Sequence, residues 1–407
     1  MRNQERGAFA VSTFSAEMAA VASTAFDRWA LRRLQTAFAS VPLRFRLWDD
    51  FELASGSGPA IATILIRNRV ALFSWVWDPD LNFGNAYMSG AVEIIGDLTG
   101  VLEGAFRALS DSPSRQRWWQ ARPNGLRAAE ANVHHHYDLG NDFYRLWLDR
   151  EMVYTCAYFP TPDSTLERAQ IAKMDLVCRK LRLMPGEHVV EAGCGWGALA
   201  LYMARQYGVS VRAYNVSTEQ IAHARERAQE EGLADRVQFI EEDYRRIRGR
   251  FDVFVSVGML EHVGLADYPA LGATIDRVLT DRGRGLLHFI GRNRPMPLNA
   301  WIQKRIFPGA YPPTLREVFE RVIEPQNFSV LDVENLRLHY AKTLEHWLER
   351  FNAASPCIAK TFDETFVRAW RLYLAGSQAG FLAGSGQLFQ VVFSRGPSNA
   401  IPWTRPT

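Results

Sequence analysis

The sequence has 407 residues, of which 47% are hydrophobic and 22% charged, with a net charge of +3. That length favours two domains, and that balance of residues predicts packed cores and excludes a disordered chain. The small net charge gives no ground for a nucleic-acid partner.

At the N-terminus, Met1 to Gly7 is charged, and the apolar stretch after it is broken by Ser, Thr, Glu and Asp, which is no signal-peptide pattern. The spacing of apolar residues predicts an amphipathic helix over 15–40, strands at Leu43–Leu47 and Ala60–Ile66, and a helix over about 91–109. These form a small α/β domain within residues 1–125. A polar, proline-containing connection runs from Ser110 to about Arg127, and a second domain occupies 126–407. From about residue 140, strands alternate with helices. The strands are His188–Ala192, Val211–Asn215, Val237–Glu241, Asp252–Val257 and Gly285–Ile290, with helices over about 197–207, 217–231 and 267–279. Such alternation predicts a doubly wound, Rossmann-like α/β sheet. Two more strands, Ser329–Arg337 and Leu388–Ser394, are separated by helices over about 341–353 and 362–382. They complete a seven-stranded sheet of the class I methyltransferase kind.

No run of about 20 uncharged apolar residues is present to cross a bilayer. The four cysteines (Cys156, Cys178, Cys194, Cys357) form no Cys-x-x-Cys pair. Neither a metal site nor a disulfide framework is expected, and the pattern fits a reducing cytoplasm. Cations cluster with aromatics twice, at Arg115, Arg117, Trp118, Trp119, Arg122 and at Arg292, Arg294, Trp301, Lys304, Arg305, Phe307. Such patches bind an anionic membrane surface at about 1 kcal/mol per cation; otherwise they are solvated arginine-rich faces. The expectation is a cytoplasmic protein held peripherally on the inner face of the membrane.

The run Val189-Val-Glu191-Ala-Gly193-Cys194-Gly195-Trp-Gly197 ends a buried strand in three alternate glycines. Glycine permits a tight turn and a close backbone approach to a ligand. The G-x-G-x-G spacing is not that of dinucleotide enzymes. Glu191 repels a pyrophosphate but attracts a cationic amino-acid moiety. Both features favour S-adenosylmethionine. In a doubly wound sheet, further contacts come from the carboxyl ends of neighbouring strands. Asn215, Ser217 and Gln220 follow the second strand, and Asp243 and Tyr244 the third. Asn215 is suited to ribose hydroxyls and Tyr244 to stacking on adenine.

Four segments carry a family resemblance: His136-Tyr-Asp-Leu-Gly-Asn-Asp142, Tyr154-Thr-Cys156-Ala-Tyr-Phe159, Val257-Gly-Met-Leu-Glu261-His-Val-Gly264 and His339-Tyr340-Ala-Lys-Thr-Leu-Glu-His-Trp347. With them the chain resembles the cyclopropane-fatty-acid synthases of bacteria and their mycolic-acid-modifying relatives, from about residue 130 to 396. The N-terminal module looks like the small domain of the phospholipid-acting members, which the mycobacterial relatives lack. The resemblance implies a bicarbonate ion held as a base by Cys156, Glu261, His288 and Tyr340, with the backbone of Ile290 close by. It also implies cofactor contacts from Tyr154 and Thr155. Thr155, Asn215 and Leu260 depart from the family's usual serine, threonine and phenylalanine. The Arg292–Pro297 stretch lacks the usual glycine-rich form, which bears on the lipid entrance.

The implied chemistry fits these residue types. An alkene attacks the methyl sulfonium directly, and orientation in a dry pocket supplies several kcal/mol. The carbocation that results closes to a ring on losing a proton from the added methyl group. A neighbouring carboxylate would trap that cation as an ester, so a bicarbonate fixed by hydrogen bonds is the better base. Glu261 accepts its hydroxyl, and His288 and Tyr340 donate. Apolar side chains of 290–385 line the acyl tunnel. Singly, Cys156 reads as a small core residue, His288 as a satisfied core histidine, Glu261 as a helix N-terminal acid and Tyr340 as a packing aromatic. The resemblance joins them. His134, His135 and His136 cannot all face one ion, so a structural or cofactor-covering role is expected.

Other readings stay open. A hydride shift in the same cation gives a methyl-branched or methylene chain from unsaturated phospholipid. Amine methylation and a non-catalytic lipid-binding paralogue are further alternatives. The N-terminal module has two open roles, lipid contact or a homodimer interface.

Overall fold

The computed structural model describes residues 22–110, 139–396 and 398–399. The Arg115–Arg122 cluster, His134 to His136 and the expected boundary at 125/126 lie outside them.

The N-terminal module consists of α1 (Ala25–Ala37), β1 (Leu43–Arg46), β2 (Glu52–Ser55), β3 (Ala62–Ile66), α2 (Arg69–Trp77), α3 (Pro79–Met88), β4 (Val92–Gly96) and α4 (Leu98–Ser110). Its sheet has the order β2-β1-β3-β4, with only β1 and β3 parallel. Thr24 and Asp27 form a capping box that starts α1. Asp27 also takes Arg69 in a fork, at 2.8 and 2.7 Å, which ties α1 to α2 and lowers its pKa to about 2. The expected helix over 91–109 is corrected here. Residues 92–96 are the strand β4, because Val92, Ile94 and Ile95 suit a pleated edge. The helix begins only after Asp97, whose carboxylate accepts from the Gly100 N–H at 2.8 Å.

The larger unit runs α5 (Leu166–Leu181), β5 (His188–Ala192), α6 (Ala198–Tyr207), β6 (Ser210–Asn215), α7 (Thr218–Glu230), β7 (Val237–Glu241), β8 (Phe251–Val257), α8 (Leu260–Val263), α9 (Tyr268–Val278), β9 (Leu279–Gly291), α10 (Ala300–Arg305), β10 (Phe328–Asn335), α11 (Arg337–Thr361), α12 (Glu364–Leu382) and β11 (Gln387–Arg395). The seven strands are ordered β10-β11-β9-β8-β5-β6-β7. β11 runs antiparallel to both of its neighbours, β10 and β9, and the five strands from β9 across to β7 pair in parallel. The parallel strands read as apolar runs because helices cover both faces. The strand order reverses beside β5, so the crevice at its carboxyl end is the place for a ligand. The number of strands and the doubly wound arrangement match the expected sheet. β9 is longer than expected, starting at Leu279.

Helices α3 and α4 pack on α12, and α3 also packs on α10. Trp301 of α10 is buried against Gly84 of α3, and its indole N–H points to the Met88 sulfur at 3.1 Å. A Cβ on Gly84 would stand 2.4 Å from the Trp301 ring. Gly84→Val is therefore expected to cost about 1–3 kcal/mol, read as a lower midpoint in denaturant unfolding with the slope unchanged. An unchanged midpoint contradicts the packing assigned to this contact.

Candidate active site

Two cavities lie side by side at the carboxyl ends of the parallel strands. The first, of about 160 Å³, is lined by Tyr154, Thr155, Glu191, Gly193, Cys194, Gly195, Asn215, Gln220, Asp243 and Tyr244, all ten of the expected cofactor residues. The glycine loop links β5 to α6 with positive φ at Gly193, Gly195 and Gly197. At Gly197 a Cβ would strike the Phe239 ring at 2.5 Å, so only glycine lets the loop fold against the sheet.

The polar groups of this cavity differ in their freedom. Glu191 is buried with one carboxyl oxygen lacking a protein partner. Burial pushes its pKa up to about 8, opposed by the charge of Lys173. Tyr244 is buried and its hydroxyl has no protein partner. Asn215, by contrast, donates to Gln220 at 2.7 Å and accepts from Val216, and Asp243 is clamped by Arg245. Ser217 caps α7 and is fully buried, a structural role.

The second cavity, of about 250 Å³, is lined by Cys156, Glu261, His288, Ile290 and Tyr340, the whole expected ion-binding set. Four residues, Tyr154, Thr155, Gly258 and His262, line both cavities and form the wall between them. Gly258 has φ +76°, and a Cβ there would stand 2.7 Å from Thr155 Cγ2. Burial holds His262 neutral, with its pKa lowered to about 4.

Glu261, on the single turn α8, is buried and one carboxyl oxygen has no protein partner. Burial lifts its pKa to about 7, against the pull of its own and the Ile290 backbone N–H. His288, on β9, is buried and held neutral by burial. Its Nδ1 lies 3.0 Å from the Gln390 amide, while Nε2 has no protein partner. Tyr340 stacks on Phe381, with centroids 4.6 Å apart. Cys156 is fully buried; burial pushes its thiol well up, so it stays protonated.

Sequence reasoning missed three contributions. Lys173 of α5 lines the first cavity, is buried, and donates to Thr155 Oγ1 at 2.9 Å. Gln390 is a fully buried amide in the apolar run Leu388-Phe-Gln-Val-Val-Phe393, and that contrast was the signal for it. The acyl tunnel was expected within 290–385, yet Phe83, Leu102 and Phe106 of the N-terminal module join Leu344, Leu372 and Phe381 in lining the second cavity. The expected Arg292–Phe307 patch is also corrected. Trp301 is core, Arg292 is bound to the Pro297 carbonyl and Arg305 to Asn85. Only Arg294 and Lys304 of that group are exposed.

A doubly wound sheet with this order, a glycine loop at its switch point and an acid at the end of β5 define a class I methyltransferase. Residues 125–391 match the family described as mycolic acid cyclopropane synthetase, and residues 31–116 match a domain of unknown function. The chain is 37% identical over 396 residues to a probable fatty acid methyltransferase of Pseudomonas putida, covering 92% of this chain and 98% of that one. It is 45% identical over 267 residues to the cyclopropane-fatty-acyl-phospholipid synthase of Escherichia coli K12, covering 65% and 68%. The crystal structure of mycolic acid cyclopropane synthase CmaA1 complexed with SAH and CTAB superposes with a TM-score of 0.62 at 32% identity, covering 65% of this chain and 98% of that one. The chain belongs to the mycolic acid cyclopropane synthetase family and is an S-adenosylmethionine-dependent methyltransferase.

Proposed function

We propose that the protein transfers a methylene group from S-adenosylmethionine to the double bond of unsaturated acyl chains in membrane phospholipids, giving cyclopropane fatty acids. The observation that carries this reading is the pair of adjoining cavities, one ending in the glycine loop and lined by Glu191, Asn215 and Asp243, the other more apolar with a buried polar cluster beside the shared wall. When bound, S-adenosylmethionine supplies an electrophilic methyl carbon, and bicarbonate supplies a base for one proton of that carbon.

The residues fit both groups. In the first cavity Glu191 offers an unpaired carboxyl oxygen to a cation, and Tyr244 an unpaired phenol. In the second, Glu261 offers an acceptor and His288 a ring nitrogen, and Tyr340 and the Cys156 and Ile290 segments complete the lining. An acceptor beside donors suits a small oxyanion that carries one proton. Glu261 fixes that ion by its hydroxyl. Phe83, Leu344, Leu372 and Phe381 exclude water, which would otherwise capture the acyl carbocation. Lys173 holds Thr155 at the shared wall.

Gln390 sets the role of His288. With the amide donating to Nδ1, the imidazole proton sits on Nε2, where it becomes a donor to the ion. Gln390→Leu is expected to lower turnover about tenfold, with affinity for S-adenosylmethionine unchanged. Equal effects on both contradict this role. The alternative product, a methyl-branched or methylene chain, is kept because a relative covered over 98% of its length is named a probable fatty acid methyltransferase. Incubation with S-adenosylmethionine, bicarbonate and mono-unsaturated phospholipid vesicles, followed by fatty-acid mass spectrometry, decides between them.

A further inference from the structure

The α1–α2 face of the N-terminal module carries four large apolar side chains in solvent. Phe26 is 63% exposed, Trp29 48%, Val70 76% and Trp77 90%. Val70, Phe73 and Trp77 stand at i, i+3 and i+7 of α2 and so share one stripe. Phe26 of α1 stacks on Phe73 at 5.0 Å and on Trp29 at 5.4 Å, which joins the rings of both helices into one patch. Contiguous aromatic surface of this kind marks an interaction site rather than scatter.

The charge around the patch selects the partner. Arg28, Arg32 and Arg33 of α1 are exposed. Asp27, the only acid of α1, is buried on Arg69, and α2 contains none. The two helices carry three exposed arginines and no exposed acid, while Asp78 and Asp80 just beyond α2 are engaged, Asp78 as the cap of α3 and Asp80 by Asn299 and the Ala300 N–H. Exposed aromatics beside such cations fit an anionic lipid surface, where rings sit at headgroup depth and cations meet the phosphates.

The place of the patch agrees. Trp77 precedes Pro79 by two residues, at most about 8 Å of chain. Pro79 and Asp80 are both exposed and part of the acyl-cavity lining, so that cavity reaches the surface beside Trp77. Asp80 also binds Asn299 and the Ala300 N–H at the start of α10, close in sequence to the exposed Arg294, Met296 and Lys304.

We propose that the α1–α2 face docks the protein on an anionic bilayer, with Trp77 entering the headgroup layer next to the cavity opening. This rests on the reading that the acyl chain comes from bilayer phospholipid. The test uses the full chain and two vesicle compositions, phosphatidylcholine alone and an equal mixture with phosphatidylglycerol. Val70→Ser combined with Trp77→Ser is expected to lower partition onto the anionic vesicles roughly tenfold or more. Methylene incorporation from those vesicles falls in parallel, while calorimetric affinity for S-adenosylmethionine is unchanged. Arg28→Gln, Arg32→Gln and Arg33→Gln together remove the preference for anionic vesicles. Unchanged partition of the serine variant, with wild-type activity on vesicles intact, overturns the docking face and leaves the functional reading standing. Unchanged partition with loss of a dimer in light scattering also overturns it and makes the face a self-association surface. Removal of residues 2–21 that raises partition severalfold overturns it as a free surface. No incorporation by wild-type protein overturns the functional reading, and the docking inference with it.

Discussion

Glu261→Gln lowers turnover by about a hundredfold or more while affinity for S-adenosylmethionine stays within a few-fold. The expected size follows from losing the anchor of a group that moves a proton in the reaction. Glutamine keeps the shape of the side chain, so α8 and the Ile290 segment are undisturbed. It replaces an acceptor oxygen by an N–H, however, and turns attraction for the ion's hydroxyl into a clash of donors. Glu261 lines the acyl cavity and not the cofactor cavity, which is why the loss falls on turnover. Tyr340→Phe follows the same pattern with a smaller loss. Steady-state incorporation of the labelled methyl group and titration calorimetry check both. Equal losses in turnover and cofactor affinity contradict the assigned roles.

Glu191→Gln has the opposite signature. Its carboxyl is buried with an unpaired oxygen, and a cation bound there makes a charge-assisted hydrogen bond. Losing one such bond costs about 1.5–3 kcal/mol, or roughly ten- to a hundredfold in affinity. The pH dependence carries the sign. Without cofactor the Glu191 pKa is raised to about 8, so the neutral acid predominates below that pH. Its raised pKa gives the cofactor-free fold stability at low pH that is lost as pH rises through about 8. A bound cation favours the ionised form. Affinity for S-adenosylmethionine is therefore expected to fall as pH drops from 8.5 to 6.5, and the thermal stabilisation it confers to shrink with it. Glu191→Gln makes that dependence shallower. Calorimetry in wild type and variant at both pH values checks this; parallel pH profiles contradict it.

The catalytic sheet was legible because its strands are short apolar runs punctuated by glycine and polar turns. His188–Ala192 and Val237–Glu241 have the same bounds in the sequence reading and in the fold. The N-terminal module was harder. β2, α2 and α3 were missed, and α2 is apolar nearly all round, so periodicity does not separate helix from buried strand. The candidate site was legible as two residue sets but not as a shape. Lys173 lies within an ordinary amphipathic helix, and only the fold brings it to Thr155. The contribution of Phe83, Leu102 and Phe106 to the acyl cavity depends on packing between distant segments, which no local pattern reports.

The most direct test of the central claim is the product itself. Purified protein is incubated with S-adenosylmethionine, bicarbonate and mono-unsaturated phospholipid vesicles, and the released fatty acids are analysed by mass spectrometry with tests for unsaturation and ring opening. The account predicts a gain of one CH2, loss of alkene character and a ring-opening pattern. The same gain with a branched methyl or an exocyclic methylene keeps both cavities in their roles but contradicts ring formation. No gain, with cofactor still bound, contradicts the acyl substrate altogether.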